Sequence, residues 1–286
     1  MVQGTTASKL AQALRSGRPA LIAECVPAAV GDADSLKRLT AALPTSLDGV
    51  VVASDGVSAL ACSTLLVAEG VETVLTLSTA DRNRDALQSD ARGAALLGIR
   101  NVLCLSGGHP SPGASPEAAA AFDVDPTQLV QLLKEGDGPV STLLVGAEVY
   151  PQLRPLELAL IDTRKKVAAG AGFLVTHPIF DVPAFEEWMT AVRNEGLSER
   201  IPILASVRAL TNVDEAVASR QRNHIPDEVI ARLQAAADAA AEGIAVCAEL
   251  AARLTSVEGV RGIYIRSSGK PEDVAEIARL AGLRPA

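Results

Sequence analysis

Aromatic side chains are scarce: four Phe, two Tyr and one Trp make up 2% of the chain. A core built on stacked rings is therefore excluded. Ala, Leu, Val and Ile must fill the interior of a sequence that is 48% apolar. The same scarcity leaves few rings to sandwich a planar ligand. Cys25, Cys62, Cys104 and Cys247 stand far apart with no CxxC pair. That spacing argues against a zinc site or a disulfide framework and fits a reducing cytoplasm. Basic charge is not in excess: the net charge is −8, with both signs interspersed, whereas a nucleic-acid partner calls for clustered Lys and Arg. No apolar run approaches the roughly 20 residues that cross a bilayer. The opening MVQGTTASKLAQALRSG lacks the apolar segment of a signal peptide. Neither nucleic acid nor membrane is expected as a partner.

What is present is a regular alternation. Apolar runs bounded by turn residues read as strands at 20–26, 49–54, 73–79, 101–107, 141–148, 173–180, 201–207 and 260–267. Helical patterns separate them, among them ADSLKRLTAAL, RDALQSDARGAALLG with Asp81 and Asn83 placed to cap it, and RPLELALIDTRKKVAAG. The stretch PDEVIARLQAAADAAAEGIAVCAELAARLT is long enough for two helices. Strands apolar on both faces and alternating with helices are parallel and buried. Eight such units predict an α/β fold, a single (β/α)₈ TIM barrel over residues 1–286, with a short helix at Ser8–Ser16 closing its bottom. An open doubly wound sheet is the alternative. The alanine-rich helices allow packing against a second copy, so a homo-oligomer is compatible with the sequence.

In a barrel of this kind the chemistry lies at the carboxyl ends of the strands. These ends offer Glu24 and Cys25, Ser54 and Asp55, Ser78, Thr79 and Asp81, then the loop SGGHPSPG with Gly107, Gly108 and His109. Further round come Glu148 and Tyr150, Thr176 and His177, Arg208, and Arg266 with Ser267 and Ser268. Glu24 stands out because it interrupts the apolar run LIAECVP, where an unpaired carboxylate would be costly. A carboxyl group partly withdrawn from water suits a general acid; the alternative is an ion pair across the mouth. His177 offers a hydrogen bond either to a ligand or to its own loop, and His224 reads as a solvated turn residue. Lys166 lies late in a helix, where a cation complements the helix dipole. SSGKP, with Lys270, is either a phosphate-binding turn or an ordinary one. Neither it nor SGGHPSPG matches a nucleotide-loop signature.

The ordered landmarks AECVP, LTLSTADRNRDALQSDARGAALLGIRNVLCLSGGHP and RKKVAAGAGFLVTHPIFDVPAFEEWM resemble the methylenetetrahydrofolate reductase family over nearly the whole chain. The resemblance implies that Glu24 is the catalytic acid, which assists opening of the bridged folate ring before hydride reduces the methylene carbon. It implies folate contacts from Thr176, His177, Gly107, Gly108, His109 and Arg208. It implies cofactor contacts from Ser78, Lys166, Gly146 and Glu148, with NADH or NADPH as hydride source and FAD as the family's flavin. Several family positions are replaced. The Gly-Asp of strand four is Gly107-Gly108, the Gln of strand six is His177, an aromatic on strand five aligns with Gly146, and a His on strand three aligns with Thr76. These replacements favour hydride passing directly from the nicotinamide. Three other readings stay open: FAD bound through backbone and different side chains, a folate-binding barrel that serves a C1-transfer complex without catalysis, and an unrelated aldolase-like barrel. The last is disfavoured because no lysine stands at a strand end.

Overall fold

A computed structural model describes residues 7–27, 32–53, 56–108, 117–266 and 270–283. His109, Ser54, Asp55, Ser267 and Ser268 lie outside these residues. Eight strands run β1 (Ala20–Cys25), β2 (Gly49–Val52), β3 (Thr73–Ser78), β4 (Asn101–Leu105), β5 (Leu144–Val149), β6 (Phe173–Thr176), β7 (Ile203–Arg208) and β8 (Val260–Arg266). All neighbours pair parallel, and β1 closes on β8, which completes the expected (β/α)₈ barrel.

The period-2 alternation of strand side chains sorts two cores. Leu21, Ala23, Cys25, Val145, Ala147, Ile263 and Ile265 face outward into the layer between barrel and helices. Ala20, Ile22, Val51, Val74, Leu103, Phe173, Val175, Leu204 and Tyr264 face inward and fill the barrel. Helix α1 (Lys9–Arg15) plugs the bottom with Leu10, which is fully buried in that inner cluster. Its N-cap Ser8 donates to Asn101 Oδ1 at 2.6 Å, and Asn101 Nδ2 in turn donates to Glu72 Oε1 at 2.6 Å. A polar latch therefore fixes the plug with its buried groups paired.

Helices α2 (Ala33–Ala41), α3 (Ala59–Ala68), α4 (Arg84–Leu96), α5 (Pro126–Lys134), α6 (Leu156–Ala168), α7 (Val182–Asn194) and α8 (Leu197–Arg200) follow in chain order. After β7 come α9 (Val213–Asn223), α10 (Asp227–Ala235) and α11 (Ala239–Thr255), and α12 (Pro271–Leu280) follows β8. The long stretch after β7 is two helices, as its length suggested, and α9 precedes them as an additional element. Asn83, not Asp81, caps α4, accepting from the Ala86 N–H at 3.0 Å. Strand β6 ends at Thr176, four residues short of the apolar run, because Pro178 has no N–H to give to the ladder. Strand β5 starts at Leu144, since Gly138–Thr142 form a 3₁₀ turn.

Candidate active site

Two residues along a strand return to the same face and rise about 7 Å. The inward positions above the apolar filling therefore include Glu24 on β1, Glu148 on β5, Arg208 on β7 and Arg266 on β8, with His177 just beyond β6. Apolar layers below and charged groups above follow from one alternation.

Glu148 is the most tightly held of them. It is 8% exposed and forms an ion pair with the Arg266 guanidinium. Its Oε2 accepts a hydrogen bond from the Tyr150 hydroxyl at 2.7 Å. Burial works to raise its pKa, but Arg266, His177 and Tyr150 outweigh burial and bring the carboxyl to about 2. Arg266 is held charged against its own burial by Glu148, Tyr264 and Glu24, which raise its pKa. It also donates to the Thr176 carbonyl at 3.3 Å and lies 4.8 Å over the Tyr264 ring. Tyr264, inside the barrel, donates from its hydroxyl to Glu24 Oε1 at 3.0 Å. Burial and then the Glu24 charge push the Tyr264 phenol well above its ordinary pKa. Glu24 is thus partly buried among polar neighbours, beside a cation that it shares with Glu148.

His177 stacks on Tyr150, with ring centroids 5.0 Å apart and planes at 26°. Its Nε2 lies 3.0 Å from Asn223 Oδ1 at the end of α9. Its Nδ1 is 3.8 Å from Glu148 Oε1, an ion-pair separation too long for a hydrogen bond, and makes none. Tyr150 stands at this mouth, Tyr264 reaches it from the layer below through its hydroxyl, and Asn223, which the sequence did not single out, borders it.

The remaining expected residues divide. Gly107 adopts φ +75°, and a Cβ there would lie 2.1 Å from Ser78 Oγ, so glycine is required where the loop after β4 crosses β3. Ser78 supports this crossing by accepting from the Ala80 N–H at 3.2 Å. Gly108 has nothing within 4 Å of an added Cβ and borders open space. Arg208 pairs with Glu215 at 2.5 Å on the rim. Thr176 is fully buried on the outward face, where its hydroxyl accepts from the Ser206 N–H at 2.9 Å and ties β6 to β7. Gly146 sits one layer below Glu148, where the Phe173 ring comes within 2.3 Å of an added Cβ. Lys166 is 4% exposed and donates to both carboxylate oxygens of Asp162, at 2.5 and 2.6 Å. Cys25 faces the helices, with burial foremost in pushing its thiol to about 12, a poor nucleophile. His224 is exposed at the end of α9. Among the described residues no three His, Cys, Asp or Glu side chains gather to hold a metal ion, and no helix is long and apolar enough to cross a membrane.

The family profile for methylenetetrahydrofolate reductase matches residues 33–282. The match begins after β1, so it does not include Glu24. The chain is 26% identical over 221 residues to 5,10-methylenetetrahydrofolate reductase of Salmonella typhimurium, covering 76% of this chain and 72% of that one. It is 24% identical over 224 residues to a probable methylenetetrahydrofolate reductase (NADPH) of Caenorhabditis elegans, covering 75% of this chain and 33% of the other. Among solved structures, a Clostridium thermocellum protein described as binding two copies of 5-methyl-5,6,7,8-tetrahydrofolic acid superposes with a TM-score of 0.70 at 14% identity, over 96% of this chain and 98% of that one.

Proposed function

The chain belongs to the methylenetetrahydrofolate reductase family, and on that premise we propose that it reduces 5,10-methylenetetrahydrofolate to 5-methyltetrahydrofolate with hydride taken directly from NADH or NADPH. The observation that carries this reading is Glu24, an inward carboxyl group at the barrel mouth, held by a buried tyrosine. Protonated Glu24 gives its proton to N10 of the bridged folate. The bond from the methylene carbon to N10 breaks, and its electron pair stays on N10. The methylene carbon is left as an iminium on N5. Hydride from C4 of the nicotinamide then adds to that carbon, forming the methyl group and leaving NAD(P)⁺. One proton and one hydride are consumed per turnover.

A flavin held in the family's manner does not fit the residues present. The layer of Gly146 that would carry an aromatic is filled by Phe173. Gly108 stands where the family has a carboxylate, and Lys166 is committed to Asp162. The nicotinamide already carries a transferable hydride, so the protein has only to orient it over the folate. His177, which stacks on Tyr150 and contacts Asn223, would on this reading meet the pterin edge where the family has Gln.

The test is oxidation of NADH or NADPH by flavin-stripped protein supplied with methylenetetrahydrofolate, with Glu24→Gln as the control. Turnover that disappears in the control is expected. Turnover only after FAD is added would overturn the direct-hydride reading. Folate binding with no turnover in either case would identify a binding barrel.

A further inference from the structure

Tyr264 looks at first like part of the inner core. It is 1% exposed, and across the barrel staves it stands opposite Ile22 on β1 and Ser206 on β7. A phenylalanine would fill that volume equally well. The hydroxyl is what distinguishes it. Glu24 lies two residues beyond Ile22, one layer nearer the mouth, and the length of the phenol spans that step to reach Oε1 at 3.0 Å. Arg266 packs over the ring, 4.8 Å from its centroid. The buried phenol resists ionisation, so it stays a donor over the whole working pH range.

From this geometry we propose that Tyr264 is a positioning residue for Glu24, one that fixes the rotamer of the carboxyl group and directs the transferable proton to the oxygen not bonded to the phenol. A donor on Oε1 disfavours a proton on that same oxygen, so the proton resides on Oε2. The hydrogen bond also strengthens once Glu24 has given up its proton, because its acceptor is then an anion. An interaction stronger after proton transfer than before it accelerates that transfer. The inference rests on the proposed role of Glu24 and adds to it a residue that does not touch the folate.

The experiment compares the full chain with Tyr264→Phe and Glu24→Gln. In Tyr264→Phe, kcat is expected to fall about ten- to hundredfold, the range of a hydrogen bond to a charged group, with KM for the folate within about twofold. The alkaline limb of the kcat profile is expected to move to higher pH, which a purely structural role would not produce. The two tyrosines also permit a readout free of turnover. Labelling with 3-fluorotyrosine gives two ¹⁹F resonances, assigned by Tyr150→Phe, and the Tyr264 resonance is expected to move in Glu24→Gln. If Glu24→Gln is inactive while Tyr264→Phe keeps kcat and the pH profile of the parent, the positioning role is overturned and the role of Glu24 stands. If Glu24→Gln retains full activity, the reading of Glu24 itself falls. If the Tyr264 resonance ignores Glu24→Gln, the contact does not exist in solution and the inference fails whatever the rates.

Discussion

Replacing Arg266 with Met tests the electrostatic account of the barrel mouth most directly. Glu148 is nearly enclosed, and its carboxyl lies near 2 against an ordinary 4.5. That gap corresponds to about 3 kcal/mol of stability at neutral pH. Without Arg266, Glu148 becomes a buried charge lacking its main partner, and breaking such a pair costs about 3 to 5 kcal/mol. The pH dependence follows from the direction of each shift. In the parent, the depressed Glu148 contributes stability that is present above about pH 4.5 and lost as pH falls toward 2. In Arg266→Met, burial without the cation raises the Glu148 pKa, so the variant is at full relative stability in acid and loses it as pH rises. The difference between the two proteins must therefore widen from pH 4 to pH 7. Urea unfolding at both pH values measures it, as a shift in midpoint with an unchanged slope. Adding Glu148→Leu should recover most of the loss, less about 1 kcal/mol for the Tyr150 hydrogen bond it removes. A loss below about 1 kcal/mol at pH 7, or one that is constant across the range, would refute the reasoning.

Gly146→Ala places a methyl group 2.3 Å from the Phe173 ring and should cost about 1 to 3 kcal/mol by overpacking; Phe173→Leu in the same chain should return part of it, read by thermal unfolding. Asn223→Ala removes the partner of His177 Nε2. Losing about 1 kcal/mol of orientation should raise KM for the folate about fivefold and leave kcat within about twofold in steady-state assays of methylenetetrahydrofolate reduction.

The barrel was legible because each strand announces itself twice, as an apolar run and as the interval between two helical patterns. Glu24 was legible for a related reason: a carboxylate inside LIAECVP has no local purpose. Tyr264 was hidden by the opposite circumstance. Within GIYIR a tyrosine satisfies every expectation of a strand core, and only closure of β8 on β1 brings its hydroxyl to Glu24. Helix α9 escaped because VDEAVASRQRN buries Ala216, Ser219 and Asn223, a small and polar stripe that hydrophobic periodicity does not register. Asn223, and with it the support of His177, was lost along with the helix. Gly146 is a different case. The resemblance marks a missing aromatic there, and the ring that lies against Gly146 comes from Phe173 on the neighbouring strand, a contact that only the register of β5 against β6 reveals.

The balance of charge at the mouth bears on the order of events. A reaction that passes through an iminium needs a site that tolerates a cation, yet the site contains Arg266. The ion pair resolves the conflict, because Glu148 takes up the guanidinium charge directly. Arg208 is likewise paired, with Glu215. After proton transfer Glu24 carries a negative charge, steadied by the Tyr264 hydroxyl and the nearby Arg266. Charge of that sign, fixed in place and partly screened from water, stabilises the cation that its own proton transfer creates. On the proposed mechanism the acid of the first step becomes the electrostatic support of the second, and Arg266, paired with Glu148, does not oppose the intermediate.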